Sequence, residues 1–203
     1  VAVGGSGLYV RALCEGMDDL PQADESLRAE LNRRLTDEGV ESLAAQLREL
    51  DPVYYEMVDR SNPARVVRAL EVCLQTGRPY SEQRTGERQP RPFEIVKIGI
   101  DLPREVLYDR IDRRVDQMLA DGLEAEARAL YPYRALNALQ TVGYREFFDY
   151  FDGRIGYDEA VELIKRNSRR YAKRQLTWFR RDSEIRWFAP DDDAAIIAHI
   201  DSK

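Results

Sequence analysis

The sequence predicts an α/β core interrupted by an all-helical block. Two apolar segments with strand character, residues 1–3 and 93–100, lie on either side of a block whose apolar residues recur with helical spacing. A further strand is predicted at residues 185–188, after long amphipathic helices. Alternating strands and helices are typical of α/β folds. We therefore predict that the core comprises residues 1–20 and 92–203.

The inserted helical domain is predicted at residues 21–91. Its first two helices carry leucines at three- or four-residue spacing: Leu27, Leu31 and Leu35, then Leu43, Leu47 and Leu50. A third helix is predicted to begin at Asn62 and Pro63, because asparagine is a good N-cap and proline fits the first helical position. Gly77 predicts the end of that helix. No strand is expected in this domain.

The other elements of the core follow in chain order. A glycine-rich turn at residues 4–7 precedes a helix predicted for residues 8–15. Pro103 begins a long helix that breaks at Gly122 and resumes to about residue 130. The remaining predicted elements are helices at residues 144–151 and 158–179, the strand at residues 185–188, and a closing helix from Asp191.

The composition is that of a charge-rich chain without a membrane segment. Charged residues make up 33% of the sequence, and no stretch approaches the roughly 18 apolar residues that a membrane span needs. Two cysteines argue against a disulfide framework, and a single histidine argues against a histidine-based triad or zinc site. We expect a cytoplasmic monomer. The net charge of -6 argues against nucleic acid only as an average, so the distribution of charge matters more.

Residues 165–181 hold eight basic residues and no acidic one. On a helix, Arg166, Arg170 and Arg174 recur at four-residue spacing, with Arg169 and Lys173 beside them. Cations this dense repel one another unless a polyanion neutralises them, and a phosphodiester backbone does so well. The alternative is a solvated helix face whose cations pair with carboxylates elsewhere in the chain.

Five short motifs along the chain each resemble a motif of one enzyme family. Residues 4–9 (GGSGLY) resemble a G-G-T-G-L-Y turn, residues 65–71 (RVVRALE) an R-x-x-R-A-L-E helix, and residues 110–118 (RIDRRVDQM) an R-I-x-x-R-x-x-x-M helix. Residues 140–146 (QTVGYRE) resemble Q-x-x-G-Y-[KR]-E, and residues 168–179 (SRRYAKRQLTWF) resemble T-R-x-[YL]-A-K-R-Q-x-T-W. The chain therefore resembles the tRNA dimethylallyltransferase family, and five motifs in the order of that family make chance a poor explanation.

The resemblance implies a fold and a reaction. The fold is a partial P-loop NTPase-like core, of nucleotide- and ATP-binding type, with an inserted all-helical tRNA-binding domain. The reaction transfers a dimethylallyl group from dimethylallyl diphosphate to the N6 amine of the adenosine 3′ of the anticodon. The implied partners are dimethylallyl diphosphate and the tRNA anticodon stem-loop, with Mg²⁺ as cofactor.

Part of the catalytic machinery of this family has no match in the chain. No G-x-x-x-x-G-K-[ST] motif occurs, and the glycine-rich turn at residues 4–7 is not followed by lysine, so it is not a P-loop. The catalytic aspartate of the family also has no counterpart. We therefore expect the P-loop, that aspartate and most Mg²⁺ ligands to lie upstream of Val1. The chain alone is expected to be inactive.

The resemblance assigns roles to residues that are present. Arg114 matches the arginine that reaches the diphosphate, and Ser6 stands where the family has a threonine that lines the tunnel shared by adenine and prenyl donor; both are expected catalytic residues. The alternative for Arg114 is a surface arginine paired with Asp112 or Asp116. The expected tRNA-binding residues are Arg65, Arg68, Gln140, Gly143, Tyr144, Arg145, Arg169, Arg170, Lys173 and Arg174. For Tyr144 the alternative is core packing, and no metal ligand is expected.

Two other functions stay open at this point. One is a non-catalytic RNA-binding module, since the P-loop is missing from the chain. The other is an adenylate isopentenyltransferase that acts on free nucleotides. The helical block at residues 21–91 favours the tRNA enzyme, because a free nucleotide needs no such clamp.

Overall fold

A computed structural model describes residues 1–203 and divides into two compact units. One unit comprises Val1–Val10 and Glu94–Lys203, and the other comprises Arg11–Phe93. The division falls within the first helix, α1 (Gly7–Glu15). The domain boundaries predicted at residues 20/21 and 91/92 stay a prediction.

The unit of residues 11–93 contains only helices. These are α2 (Glu25–Glu38), α3 (Val40–Leu50), α4 (Pro52–Met57), α5 (Pro63–Thr76) and α6 (Tyr80–Gln83), together with the second part of α1. No strand occurs between residues 21 and 91, as predicted. Leucines of the predicted stripes meet in the core, where Leu31, Leu43 and Leu47 pack with Val66 and Leu70 of α5 and are almost completely buried.

Polar side chains determine where these helices begin, and a glycine ends α5. Asn62 caps α5 by accepting a backbone hydrogen bond at 3.3 Å, and Gly77 ends it in the left-handed conformation at φ 68°. Asp51 is fully buried and caps α4 by accepting a hydrogen bond from the backbone N–H of Tyr54. The same carboxylate accepts from the backbone and the hydroxyl of Ser81, which fixes the start of α6. A buried carboxylate is tolerated here because several donors satisfy it.

The other unit combines a small parallel sheet with helices. Strand β1 (Ile98–Ile100) pairs in parallel with β2 (Arg186–Phe188), so that Ile98 lies opposite Arg186 and Ile100 opposite Phe188. The helices are α7 (Arg104–Ala120), α8 (Leu123–Leu130), α9 (Tyr144–Phe151), α10 (Tyr157–Phe179) and α11 (Asp193–Asp201). Short 3₁₀ turns occur at Tyr131–Tyr133 and Asn137–Leu139.

The helices α7 to α10 share one apolar core. Its most buried members include Val115, Leu123, Phe147, Phe148 and Ile164. Aromatic rings of α9 and its neighbours stack or meet edge to face around Phe147. No helix in the structure is at once long enough and apolar enough to cross a bilayer.

The structure corrects two strand predictions. Residues 1–3 form no strand, and Val1 and Val3 are fully exposed. A strand exists only where its backbone groups join a ladder, and β1 and β2 pair only with each other. For the same reason the strand predicted at residues 93–100 is confined to Ile98–Ile100, which lies opposite β2. The strand predicted at residues 1–3 is therefore wrong.

Two leucines of α3 provide a test of the helical core. Leu47 is fully buried, whereas Leu50 is 37% exposed. We expect Leu47→Ala to lower the free energy of unfolding by about 3 kcal/mol, because it removes buried methyl groups and leaves a cavity. Leu50→Ala, the matched control, is expected to cost less than about 1 kcal/mol. Urea unfolding followed by circular dichroism measures both; equal losses would contradict this description of the core.

Candidate nucleic-acid interface

The basic helix α10 is tied to α7 by two ion pairs. Lys165 Nζ lies 2.6 Å from Asp116 Oδ1, and Arg169 Nη1 lies 2.5 Å from Asp112 Oδ1. Both carboxylates belong to α7, and both cations stand one turn apart on the same face of α10. The hydrogen bond from Lys165 to Asp116 raises the pKa of the Lys165 ammonium. These two cations are therefore engaged in helix packing.

The other cations of residues 165–181 are mostly unpaired. Arg180 forms an ion pair with Asp101 at 2.7 Å. The remaining five, which we call the free cation set, are exposed and have no carboxylate partner: Arg166, Arg170, Lys173, Arg174 and Arg181. The guanidinium of Arg174 lies 5.7 Å from the ring centre of Tyr171, an exposed aromatic side chain. The alternative of internal pairing thus accounts for three of the eight cations, and five remain for an external anion.

Arg114 is exposed on α7 and forms no ion pair. Its two candidate partners, Asp112 and Asp116, are occupied by cations of α10. Residues two apart on a helix point to nearly opposite sides, so Arg114 projects away from the face that pairs with α10. The structure therefore does not support the surface ion pair as an explanation of Arg114. Its contact with diphosphate stays a prediction.

The glycine-rich turn packs closely on the C-terminal half of α10. The side-chain amide of Gln175 donates a hydrogen bond to the carbonyl of Gly5 at 2.7 Å. A Cβ atom at Gly5 would lie 2.3 Å from that amide nitrogen, and one at Gly7 would lie 2.3 Å from Trp178 Nε1. Such distances are far inside van der Waals contact, so a Cβ at either position would force the facing side chain of Gln175 or Trp178 to move. The first and last motifs of the sequence thus form one packed unit.

Ser6 lies between these two glycines and is partly buried. Its carbonyl accepts the backbone N–H of Val10 at 3.0 Å, which begins α1. Its hydroxyl makes no hydrogen bond within the protein, so this group is available to a ligand. The tunnel-lining role of Ser6 stays a prediction.

The turn before α9 is held by a buried carboxylate. Glu146 is 4% exposed, and its Oε2 accepts the backbone N–H of Gly143 at 2.8 Å. Its Oε1 accepts Asn167 Nδ2 of α10 at 2.7 Å. Gly143 has φ +103°, a conformation that L side chains rarely adopt. Sequence reasoning missed the roles of Glu146 and Asn167, although a glutamate at the third helical position is itself a capping signal.

The predicted tRNA-binding residues beside this turn differ in the contacts that their side chains make within the protein. The hydroxyl of Tyr144 donates a hydrogen bond to Glu126, which raises the pKa of the phenol. The ring of Tyr144 stacks on that of Phe148, with 6.3 Å between the ring centres. The core-packing alternative therefore describes part of this side chain. Gln140 donates to a backbone carbonyl at 2.6 Å. Arg145 is exposed and forms no ion pair. Their contacts with tRNA stay predictions.

The two predicted arginines of α5, on the helical unit, also differ. Arg65 is exposed, and its side chain makes no hydrogen bond. Arg68 donates to Glu71 at 2.6 Å and to the carbonyl of Pro21 at 2.8 Å. Glu71 is fully buried and also accepts from Arg28 at 2.6 Å. Arg68 therefore stabilises the helical unit from within, and of the two arginines Arg65 is the one that is free for a ligand.

Comparisons with known proteins agree on one family. The family model described as IPP transferase matches residues 1–182. The tRNA dimethylallyltransferase of Cytophaga hutchinsonii is 53% identical over 203 residues, which cover 100% of this chain and 67% of the relative. The solved structure of the full-length tRNA isopentenylpyrophosphate transferase of Bacillus halodurans is 40% identical, with a TM-score of 0.56, and the match covers 97% of this chain and 62% of that one.

A more distant structure supports the fold alone. A eukaryotic dimethylallyltransferase acting on tRNA has 24% identity and a TM-score of 0.72, and the match covers 95% of this chain and 51% of that chain. The chain therefore spans about two thirds, or less, of the length of the relatives it matches.

Two glycines of the first motif provide a test of its packing. Gly7→Ala places a Cβ against the ring of Trp178, whereas a Cβ at Gly4 would meet nothing within 4 Å. We expect Gly7→Ala to destabilise the unit by about 1–3 kcal/mol, since the ring must move away from the turn. Gly4→Ala, the control, is expected to change the free energy of unfolding by less than about 0.5 kcal/mol. Urea titration followed by tryptophan fluorescence measures both, and a silent Gly7→Ala would show that the turn is not packed on α10.

Proposed function

The chain belongs to the IPP transferase family, and on that premise we propose that it supplies the tRNA-binding and leaving-group side of a tRNA dimethylallyltransferase. The proposed reaction moves the dimethylallyl group of dimethylallyl diphosphate to N6 of the adenosine 3′ of the anticodon. The observation that carries this proposal is the free cation set of α10. An exposed row of cations without internal partners is suited to a phosphodiester backbone.

The proposed chemistry makes three demands on the protein. A C–N bond forms between the exocyclic amine and the allylic carbon, the C–O bond to diphosphate breaks, and the amine proton passes to a base. Negative charge develops on the departing diphosphate, and a fixed guanidinium stabilises it. Arg114 has the charge and the freedom for that contact, because its neighbouring carboxylates are engaged elsewhere. We propose that Ser6 contacts the substrates, and that the base and the P-loop belong to parts of the family that this chain does not match.

Magnesium enters the proposal only as an expectation. The chain brings together no group of three or more His, Cys, Asp or Glu side chains that could hold a metal ion. Mg²⁺ keeps several waters and is usually held by one or two carboxylates together with substrate phosphates. We therefore assign no step to the metal.

The free cation set also bears on the two other functions. A free nucleotide presents phosphate groups at one point, whereas five unpaired cations extend along residues 166–181 of the chain. Charge spread over this length favours a polynucleotide over a nucleotide. A non-catalytic RNA-binding module would use the same cations, and only the transfer reaction distinguishes it from the enzyme.

The first test concerns the free cation set. Replacing Arg170 and Arg174 together by alanine is expected to weaken binding of an anticodon stem-loop and to lower the slope of log K against log salt by about two, one for each phosphate that is no longer neutralised. The matched control replaces Arg113 and Arg128 by alanine; it removes the same charge, but these two arginines pair with Asp109 and Glu124. The control is expected to leave the slope nearly unchanged. Equal salt slopes for both double variants would contradict the proposal and would show that the cations of α10 are a solvated surface.

The second test concerns Arg114 in a full-length protein that contains this chain. We expect Arg114→Ala to slow single-turnover transfer about a hundredfold, a loss of roughly 3 kcal/mol, with tRNA affinity preserved. Arg114→Lys is expected to recover only part of the rate, because an ammonium cannot reproduce the guanidinium fork on phosphate oxygens. Arg113→Ala, next to it on α7, is the control and should alter stability by at most about 1 kcal/mol. Wild-type turnover by Arg114→Ala would refute the assignment.

A further inference from the structure

We propose that Glu146 and Asn167 are a positioning pair that holds the turn at residues 140–143, and with it the start of α9, in register with the free cation set. The pair would allow the turn and the basic helix to contact one RNA at the same time. This inference rests on the proposed function and adds two residues to it. Neither residue needs to contact the RNA itself.

Glu146 makes more hydrogen bonds and is more deeply buried than a helix cap requires. A capping glutamate needs one hydrogen bond to the N-cap backbone, which one of its oxygens supplies. Here the side chain is 4% exposed, and each oxygen accepts from a different segment: Gly143 of the turn and Asn167 of α10. A buried carboxylate is costly unless its acceptors are satisfied. The second hydrogen bond therefore specifies where the turn lies relative to α10.

The two partners lie next to the residues that the proposal needs. Asn167 follows Arg166 in α10 and precedes Arg170 by one helical turn, on a face that points toward α9. Gly143 directly precedes Tyr144 and Arg145. Gly143 has a φ of +103°, a conformation in which most other residues would be strained. Displacement of this turn would move the following side chains together.

The pair is not needed to keep α9 and α10 packed. Phe147 of α9 and Ile164 of α10 belong to the same buried core and supply the apolar contact between the helices. Loss of the Glu146–Asn167 hydrogen bond should therefore leave the fold intact while it loosens the turn. This separation makes the proposal testable by binding.

The experiment exchanges the hydrogen-bond donor and acceptor between positions 146 and 167. Asn167→Asp places two carboxylates against each other in a partly buried site, where at least one lacks its donor. Adding Glu146→Gln restores a complementary pair, since the new amide can donate to the aspartate while its oxygen accepts from Gly143. With the 203-residue chain, we expect Asn167→Asp to weaken binding of an anticodon stem-loop about tenfold, and the double exchange to return it to within about twofold of wild type. Fluorescence anisotropy measures the affinity, and circular dichroism checks the fold.

A coupling measurement separates positioning from a structural role. In the wild-type chain Arg145→Ala and Arg174→Ala should each weaken binding. In the Asn167→Asp chain, Arg145→Ala should have little further effect, because the turn is already displaced, whereas Arg174→Ala should retain its full effect. A purely structural pair would leave both effects unchanged, and that result would overturn the proposal.

Two outcomes are distinguished by the controls. If Arg170→Ala with Arg174→Ala does not alter binding, the proposed function fails. If that double variant weakens binding but Asn167→Asp does not, only the positioning proposal fails. Should Asn167→Asp not fold, Asn167→Ala removes the donor without adding charge; wild-type affinity of that variant would equally refute the proposal.

Discussion

Mutual repulsion among the cations of residues 165–181 constrains how α10 is oriented in the larger unit. Residues 165–181 carry eight basic side chains and no acidic one, in a chain whose net charge is -6. The protein relieves this repulsion on one side only, through Asp112 and Asp116 of α7 and through Asp101 after β1. Those contacts align α10 with α7 and with the sheet. They also leave the free cation set facing solvent, where an external anion can neutralise it.

The magnitudes show that these ion pairs orient the helices more than they stabilise them. A partly exposed pair contributes at most about 1 kcal/mol. Burial of a side chain such as Phe147 or Ile164 contributes about 1.5–3 kcal/mol, and both are almost completely buried. The apolar core therefore provides most of the free energy of folding. Loss of one ion pair is therefore expected to lower the free energy of unfolding only slightly.

Sequence reasoning succeeded where the signal is local. Asn62 and Gly77 bound α5 as predicted, and α10 runs over Tyr157–Phe179 against a prediction of residues 158–179. It failed where the outcome depends on a distant partner. Residues 1–3 look like a buried strand, but whether they join a ladder is decided by strands elsewhere. Helical spacing likewise placed Arg169 on α10 without showing that Asp112 lies opposite it.

The dependence on distant partners also explains why the sequence alone could not separate the structural residues of the motifs from the ligand-binding ones. The structure divides the motifs into side chains that face inward and side chains that face solvent. The inward members, Glu71, Glu146 and Gln175, hold a helix or turn in place. The outward members Arg65, Arg114, Arg145 and Arg174 have no carboxylate partner. A resemblance to a family marks both kinds equally, because both are needed for the site. Only burial and hydrogen-bond partners separate the residues that build the surface from those that remain free to bind on it.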